Sequence, residues 1–170
     1  MATIAAPARP RSPLAPDGYE RALAFGAILL LGATLLAVAR GFGRWGDMPP
    51  LVWAHLLTVG TALALTPALF LRARGDRIHR TLGWIWATAM FATALVSFGI
   101  RELRDGALSP IHILSAIVVL SIPALVLTAR AHRHAPHRRI ARGITTGGLL
   151  IAGVLTFPGG RQLGNWLLGG

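Results

Sequence analysis

Histidine is the residue type in this sequence best suited to hold a cofactor. Four of the six histidines lie at or near the beginnings of long apolar runs: His55, His79, His112 and His137. The other two, His132 and His134, fall in an arginine-rich connection, where we expect them to be solvated. Because the chain contains no Cys, disulfides, thiolate catalysis and cysteine-ligated metals are excluded. A metal or cofactor iron would therefore be held by His, Met or carboxylates.

Antiparallel helices would sort these four histidines into two pairs. Helices that begin at the same membrane face bring His55 and His112 to one level, near the outer leaflet, and His79 and His137 to the cytoplasmic level. Neutral imidazole is a good axial ligand of haem iron, and two facing imidazoles favour electron transfer over oxygen chemistry. The pattern predicts a haem b between each pair, with the outer site better shielded. No separate catalytic residue is expected.

Two other interpretations of the histidines stay open. Helix beginnings lie at the membrane interface, where an amphipathic His is stable without any ligand. His79 and His137 also adjoin arginine clusters and could contact lipid phosphates.

Three neighbours would support a haem: Thr58 and Ser115 lie three residues after His55 and His112, and Gly83 lies one turn after His79.

Five runs without a formal charge would position these histidines. They are Ala22–Ala39, Leu51–Leu71, Thr81–Ile100, Ala107–Ala129 and Gly143–Gly160, numbered here as spans 1 to 5. About 20 apolar residues cross a hydrocarbon core of about 30 Å, and the backbone inside lipid must bond internally. The sequence therefore predicts an all-α polytopic membrane protein with five transmembrane helices. Spans 2–5 are expected to form an up-and-down four-helix bundle, with span 1 peripheral.

Composition agrees with a single membrane domain. Of 170 residues, 54% are hydrophobic and 14% are charged, which leaves no room for a soluble catalytic domain. We expect a disordered cytoplasmic tail at residues 1–21, a transmembrane domain at 22–165 and a short external tail at 166–170. All six carboxylates lie outside the spans, which argues against an ion-coupled proton relay. The five tryptophans, mostly near span ends, are expected to be interfacial anchors.

The basic residues predict orientation and partners. All 17 are arginines, and twelve of them fall on the side shared by the N-terminus and the connections after spans 2 and 4. The positive-inside rule then places the N-terminus in the cytoplasm, in a bacterial inner membrane. The net charge of +11 is clustered beside apolar runs, so we expect anionic lipid headgroups as partners and no nucleic acid.

Span 1 has a second interpretation. Ala37-Val38-Ala39 resembles a signal-peptidase site after an apolar run. The preceding tail is long and contains Asp17 and Glu20, and the run is longer than a usual signal sequence. A retained helix is therefore favoured.

Several motifs resemble a bacterial membrane-protein family, domain of unknown function 2306. His79-Arg80-Thr81-Leu82-Gly83 resembles its H-[RK]-x-L-G helix start, and Ser109-Pro110-Ile111-His112 resembles its S-P-x-H element. His137-Arg138-Arg139 resembles a later landmark, whereas Phe157-Pro158-Gly159-Gly160-Arg161 departs from the family's P-G-R form by an extra Gly. The resemblance covers roughly residues 50 to 165 and implies membership without an activity. A weaker architectural similarity is to cytochrome b561-type proteins, and it implies histidine pairs on alternate helices.

These observations leave three functions open. The first is a b-type di-haem protein that passes electrons across the membrane, between a quinol or other redox partner and an outer acceptor. The second is a non-catalytic membrane subunit or assembly factor. The third is a small-molecule carrier. The lack of carboxylates in the spans argues against ion-coupled transport but not against a carrier that works without ion coupling.

Overall fold

The computed structural model describes residues 15–72, 74–100 and 111–169, and these residues form helices and turns without any strand. The long helices are α1 (Gly18–Arg40), α2 (Pro50–Leu71), α3 (Arg77–Ser97) and α4 (Ile111–Arg130). They are followed by α5 (His134–Gly143), a π-helical segment (Ile144–Ile151), α6 (Ala152–Val154) and α7 (Gln162–Leu168). A short 3₁₀ helix, Phe42–Asp47, connects α1 to α2.

Local sequence signals determine where the long helices begin. Asp17 caps α1 and Asp76 caps α3, each by accepting a backbone N–H three residues later. Pro50 is the first residue of α2. A backbone N–H at this position would have no acceptor within the helix, so proline loses no hydrogen bond there. Because of the Asp17 cap, α1 begins inside residues 1–21, for which the sequence predicted a disordered tail; Gly18–Arg21 are helical.

Three helices in the described part of the chain are long and apolar enough to cross a membrane: α1, α2 and His112–Arg130 of α4. Five crossings are not established by this criterion. Helix α3 is less apolar because it contains three Thr and two Trp besides its first-turn arginines. Predicted span 5 is divided among the end of α5, the π-helical segment and α6, and its helix ends at Val154 rather than Gly160.

The π-helical segment continues α5 without a break, since the backbone angles of Gly143 and Ile144 are both α-helical. One of its two adjacent glycines, Gly148, lies very close to α4. A Cβ on Gly148 would lie 2.2 Å from Val118 Cγ2, whereas one on Gly147 would lie 4.0 Å from Leu114 Cδ2. Glycine, which weakens a helix, is therefore what lets the π-helical segment approach α4.

One hydrophobic core joins α1 to α2, α3, α4 and the π-helical segment. Leu23 and Ala27 of α1 are buried in the same cluster as Leu63, Met90 and Leu149. Helix α1 contributes side chains to this shared core and packs against α2 and the π-helical segment, and its peripheral place beside a four-helix core stays a prediction. Small residues allow this contact, because the alanines of α1 in the cluster let it pack closely along its neighbours.

A second, smaller cluster lies where α7 folds back onto α1. It contains Ala37, Met48, Leu163 and Trp166. A Cβ on Gly41 would lie 2.1 Å from the Trp166 ring, so glycine is required for this contact. Trp166, expected to be an interfacial anchor in or near an external tail, is only 1% exposed. The prediction missed α7 because a seven-residue helix is too short to cross lipid and shows no periodicity.

Candidate functional sites: the histidine pairs and a buried charge cluster

The side chain of Glu20 in the first turn of α1 is completely buried. It forms a capping box with Asp17: Asp17 Oδ1 accepts the Glu20 N–H at 3.0 Å, and Glu20 Oε2 accepts the Asp17 N–H at 3.2 Å. This reciprocal pair fixes the beginning of α1. It also aims the Glu20 carboxylate into the bundle rather than towards solvent.

Three arginines from distant parts of the chain surround this carboxylate. Arg138 of α5 donates through Nε to Oε1 at 2.7 Å and through Nη2 to Oε2 at 2.8 Å. Arg142 Nη2 lies 3.1 Å from Oε1, and Arg74 in the α2–α3 connection also donates to Oε2. We call Asp17, Glu20, Arg74, Arg138 and Arg142 the charge cluster. The end of the bundle that contains it, where α1, α3 and α5 begin, is the arginine-rich end.

Both carboxylates of the charge cluster, Asp17 and Glu20, are paired with arginines and backbone N–H groups. The Glu20 N–H, and then the Arg142 guanidinium, hold the pKa of Asp17 below its usual range despite some desolvation. The hydrogen bond to Glu20 raises the pKa of Arg138. Tyr19 extends the cluster, since its hydroxyl lies 2.6 Å from Thr146 Oγ1 and Arg142 lies 5.5 Å from its ring centre. The cluster therefore ties α1 to the α2–α3 connection and to α5.

Sequence reasoning missed this cluster because it counted carboxylates only inside the spans. The available signal was the spacing of Asp17 and Glu20, a D-x-x-E capping box immediately before an apolar run. That signal predicts a helix start, but it cannot predict which arginines will meet the carboxylate. The arginines were attributed to topology and lipid contact alone.

The structure places His79 and His137 at the arginine-rich end. His137 Nδ1 lies 3.1 Å from the Leu125 carbonyl oxygen, which leaves the Nε2 nitrogen to bind another group. His79 Nδ1 is buried and has no hydrogen-bond partner within the described residues. His79 lies in the first turn of α3 and His137 in the first turn of α5, so both imidazoles belong to the same end of the bundle.

His55 and His112 both lie at the opposite end, against the second half of α3. The His55 ring approaches the Thr93 backbone, and its Nδ1 is buried with no hydrogen bond to any described residue. His112 is 4% exposed, and its ring centre lies 5.9 Å from that of Phe98. Each ring is therefore packed against α3, at the same end of the bundle.

The expected supporting residues have other partners. Thr58 Oγ1 donates to backbone carbonyls of its own helix and accepts a hydrogen bond from Thr93 Oγ1 at 2.8 Å. Ser115 Oγ lies 2.5 Å from Ser97 Oγ. These contacts join α3 to α2 and α4 through hydroxyl groups. A Cβ added to Gly83 would meet no atom of another element within 4 Å, so no described side chain packs against this glycine.

Three further expectations concern His132, His134 and Trp86. His132 and His134 are exposed, as expected. Trp86, expected at the interface, is instead 3% exposed and donates its indole N–H to Thr66 Oγ1 at 3.0 Å. Within residues 15–72, 74–100 and 111–169, no three His, Cys, Asp or Glu side chains are grouped to hold a metal ion. A bis-imidazole haem needs only two such donors, so the pairs are unaffected by that finding.

Two open cavities lie on the outside of the bundle. The larger, about 700 Å³, is formed by α1, α6 and α7 and is lined by Leu29, Ala33, Phe157 and Leu167 among others. The smaller, about 420 Å³, lies between α2 and α3 beside Thr58 and Trp84. Neither contains a histidine in its lining. Both belong to the surface that a membrane would cover.

No protein-family model, curated protein or solved structure matches this chain. The assignment of function therefore depends on the chain's own residues.

Proposed function

We propose that the protein crosses a bacterial inner membrane five times, with its N-terminus in the cytoplasm. Three helices have the required length and apolar composition. Helix α3 and the continuous helix from α5 to α6 lie beside them in one core and would provide the remaining crossings. The arginine distribution supports the orientation.

We further propose that the protein binds haem b through its histidine pairs and transfers electrons. One observation carries this proposal: buried imidazole nitrogens of His55 and His79 lack a hydrogen-bond partner in the described part of the chain. Leaving such a group unsatisfied costs about 1–3 kcal/mol, which a bound ligand would offset. At the arginine-rich end the donor set fits haem iron, because His137 is oriented through its Nδ1.

Each residue then has a defined task. His79 and His137 would hold one iron, and His55 and His112 are the predicted ligands of a second. The Leu125 carbonyl fixes the ring orientation of His137. Haem with two imidazole ligands supplies reversible one-electron transfer. Packing of His112 against Phe98 and burial of His55 would keep water from the second site.

A non-catalytic membrane subunit or assembly factor is the second candidate. The observation that favours it is the apolar groove between α1 and α7, which is open to the outside and large enough for a partner's side chains. In that case the histidines serve local packing.

Visible spectra of the purified protein, expressed with ample haem, distinguish the two candidates. We expect a haem spectrum in the wild type, and loss of the same haem from His79→Ala and from His137→Ala. His134→Ala, which removes an exposed histidine from the same helix, should leave the spectrum unchanged. His55→Ala and His112→Ala should together identify a second haem. A colourless wild type would overturn the haem proposal and favour the subunit.

A further inference from the structure

The arginines of the arginine-rich end fall into two electrostatic classes. In the first class, Arg74, Arg138 and Arg142 are bound by the carboxylates of the charge cluster. Arg72 belongs with them, since its Nη2 lies 3.2 Å from Asp76 Oδ2. These pairs use the three carboxylates that the structure describes at this end, so no further described acidic side chain is left there for other arginines.

The second class consists of six exposed arginines. They are Arg21, Arg77, Arg80, Arg130, Arg133 and Arg139. None forms an ion pair with any residue in the described ranges. The pairing of the acidic residues with other arginines therefore leaves these six without a carboxylate partner among the described residues. We call these six residues the arginine ring.

The arginine ring follows the boundary between polar and apolar surface. Its members lie in the first turns of α1 and α3, at the last residue of α4, at the N-cap of α5 and in the middle of α5. Exposed apolar side chains lie immediately beside them: Ile78 is 51% exposed next to Arg77, and Leu127 is 64% exposed one turn before Arg130. In a bilayer, lipid phosphates lie just outside the apolar layer, at the level of these guanidinium groups.

We propose that the arginine ring binds the phosphate groups of anionic phospholipids in the adjacent leaflet. Guanidinium binds phosphate oxygens in a bidentate manner, and the exposed apolar side chains beside it would meet lipid tails. A nucleic acid, the other polyanion of suitable charge, would have to lie against the same apolar side chains. The proposal does not depend on haem binding.

The test measures how strongly individual lipids bind the full-length protein in nanodiscs. We expect phosphatidylglycerol to bind in preference to phosphatidylcholine, and the preference to shrink at high salt, where exposed charges are screened. Arg133→Gln and Arg139→Gln should each weaken phosphatidylglycerol binding by about fivefold, the factor that corresponds to about 1 kcal/mol for one basic residue near an anionic surface. Arg161→Gln, at the other end of the bundle, is the matched control and should have no effect.

Three outcomes would overturn the proposal. Equal binding of both lipids, or equal losses in Arg139→Gln and Arg161→Gln, would show that the ring has no lipid selectivity. Displacement of the lipid by millimolar inorganic phosphate would indicate a site for free anions. Binding of a short RNA in phosphatidylcholine nanodiscs, abolished by Arg139→Gln, would identify a nucleic-acid surface. Circular dichroism of each variant separates these results from misfolding.

Discussion

Glu20 is the residue whose removal should disturb the molecule most. Its carboxylate is fully buried and accepts hydrogen bonds from Arg74 and Arg138. Removing one partner of a buried ion pair leaves the other charges uncompensated, which costs more than the pair itself contributes. We predict that Glu20→Gln lowers the free energy of unfolding by about 3 kcal/mol, the lower part of the usual range because the arginines stay partly exposed.

Thermal unfolding in detergent, compared between variants, measures this loss. Asp47→Asn is the control: Asp47 is an exposed carboxylate outside the charge cluster, and its replacement should change stability by less than about 0.5 kcal/mol. Equal unfolding temperatures for Glu20→Gln and wild type would show that the arginines find other partners.

Asp17 should make the stability of the protein depend on pH in acid. Its folded-state pKa is lower than its unfolded-state value, chiefly because it accepts the Glu20 N–H. The carboxylate therefore stabilises the folded state above about pH 4, and the contribution disappears as pH falls through the lowered pKa. We predict a falling unfolding temperature in this acid range, and a shallower fall in Asp17→Asn. Parallel pH curves for the two proteins would contradict the assignment.

Individual histidines were easier to predict than the cluster. The positions of His55, His79, His112 and His137 at helix beginnings follow from the lengths of the apolar runs, and the structure places them at two ends of the bundle. The direction of each ring could not be predicted, because it depends on neighbouring side chains and carbonyls: Phe98 packs against His112, and the Leu125 carbonyl contacts His137. The cofactor itself stays a prediction.

The close contact between the π-helical segment and α4 depends on Gly148 and not on the adjacent Gly147. Gly148→Ala would place a Cβ 2.2 Å from Val118 Cγ2 and force the helices apart. We predict a loss of about 1–3 kcal/mol from this overpacking. Gly147→Ala is the matched control, since its nearest neighbour is at 4.0 Å, and it should be neutral or stabilising by up to about 1 kcal/mol. Chemical unfolding distinguishes them; equal stability of both variants would mean that α4 can shift freely.

The uncharged run predicted the boundaries of α2 closely and those of α3 less closely, because α3 begins within its flanking arginines. Span 2 was expected at 51–71 and α2 is Pro50–Leu71, while span 3 was expected at 81–100 and α3 is Arg77–Ser97. The predicted start of span 4, Ala107, lies outside the described residues. The length of the uncharged run predicted the boundaries of span 5 less well. The helix there begins among arginines at His134, before the uncharged run starts, and ends near Val154.

Topology is the property of the whole molecule that is most open to direct test. Reporter fusions after Arg74 and Arg133 should be cytoplasmic, and fusions after Arg44 and Arg104 should be external, because positively charged connections are retained inside. Arg104 lies outside the described residues, so its reporter also tests whether α3 crosses. Reporters after Arg74 and Arg104 on the same side would refute five crossings and the leaflet assignment of both histidine pairs.

The arrangement of α1 could not be predicted from its own sequence. An apolar helix without histidines has no visible preference for the centre or the edge of a bundle. Its packing follows from partners that are distant in the chain: Leu30 fits against Gly153, and Glu20 meets α5. Contacts of this kind, between a large residue on one helix and a small residue far away in the chain, cannot be predicted from the sequence of a single span.

The charge cluster has a consequence for biosynthesis. Glu20 and Arg138 are separated by 118 positions, so the first helix is made long before its principal partner exists. At about 5–20 residues per second, translation takes roughly 6–24 s to reach Arg138. Until Arg74 is made, the Glu20 carboxylate needs water or lipid headgroups to stabilise its charge, and from then until α5 arrives Arg74 is its one partner from the charge cluster. Arrival of α5 would therefore complete the charge cluster in a late, post-insertion step, and chains truncated before α5 should be recognised by membrane quality control as unfinished.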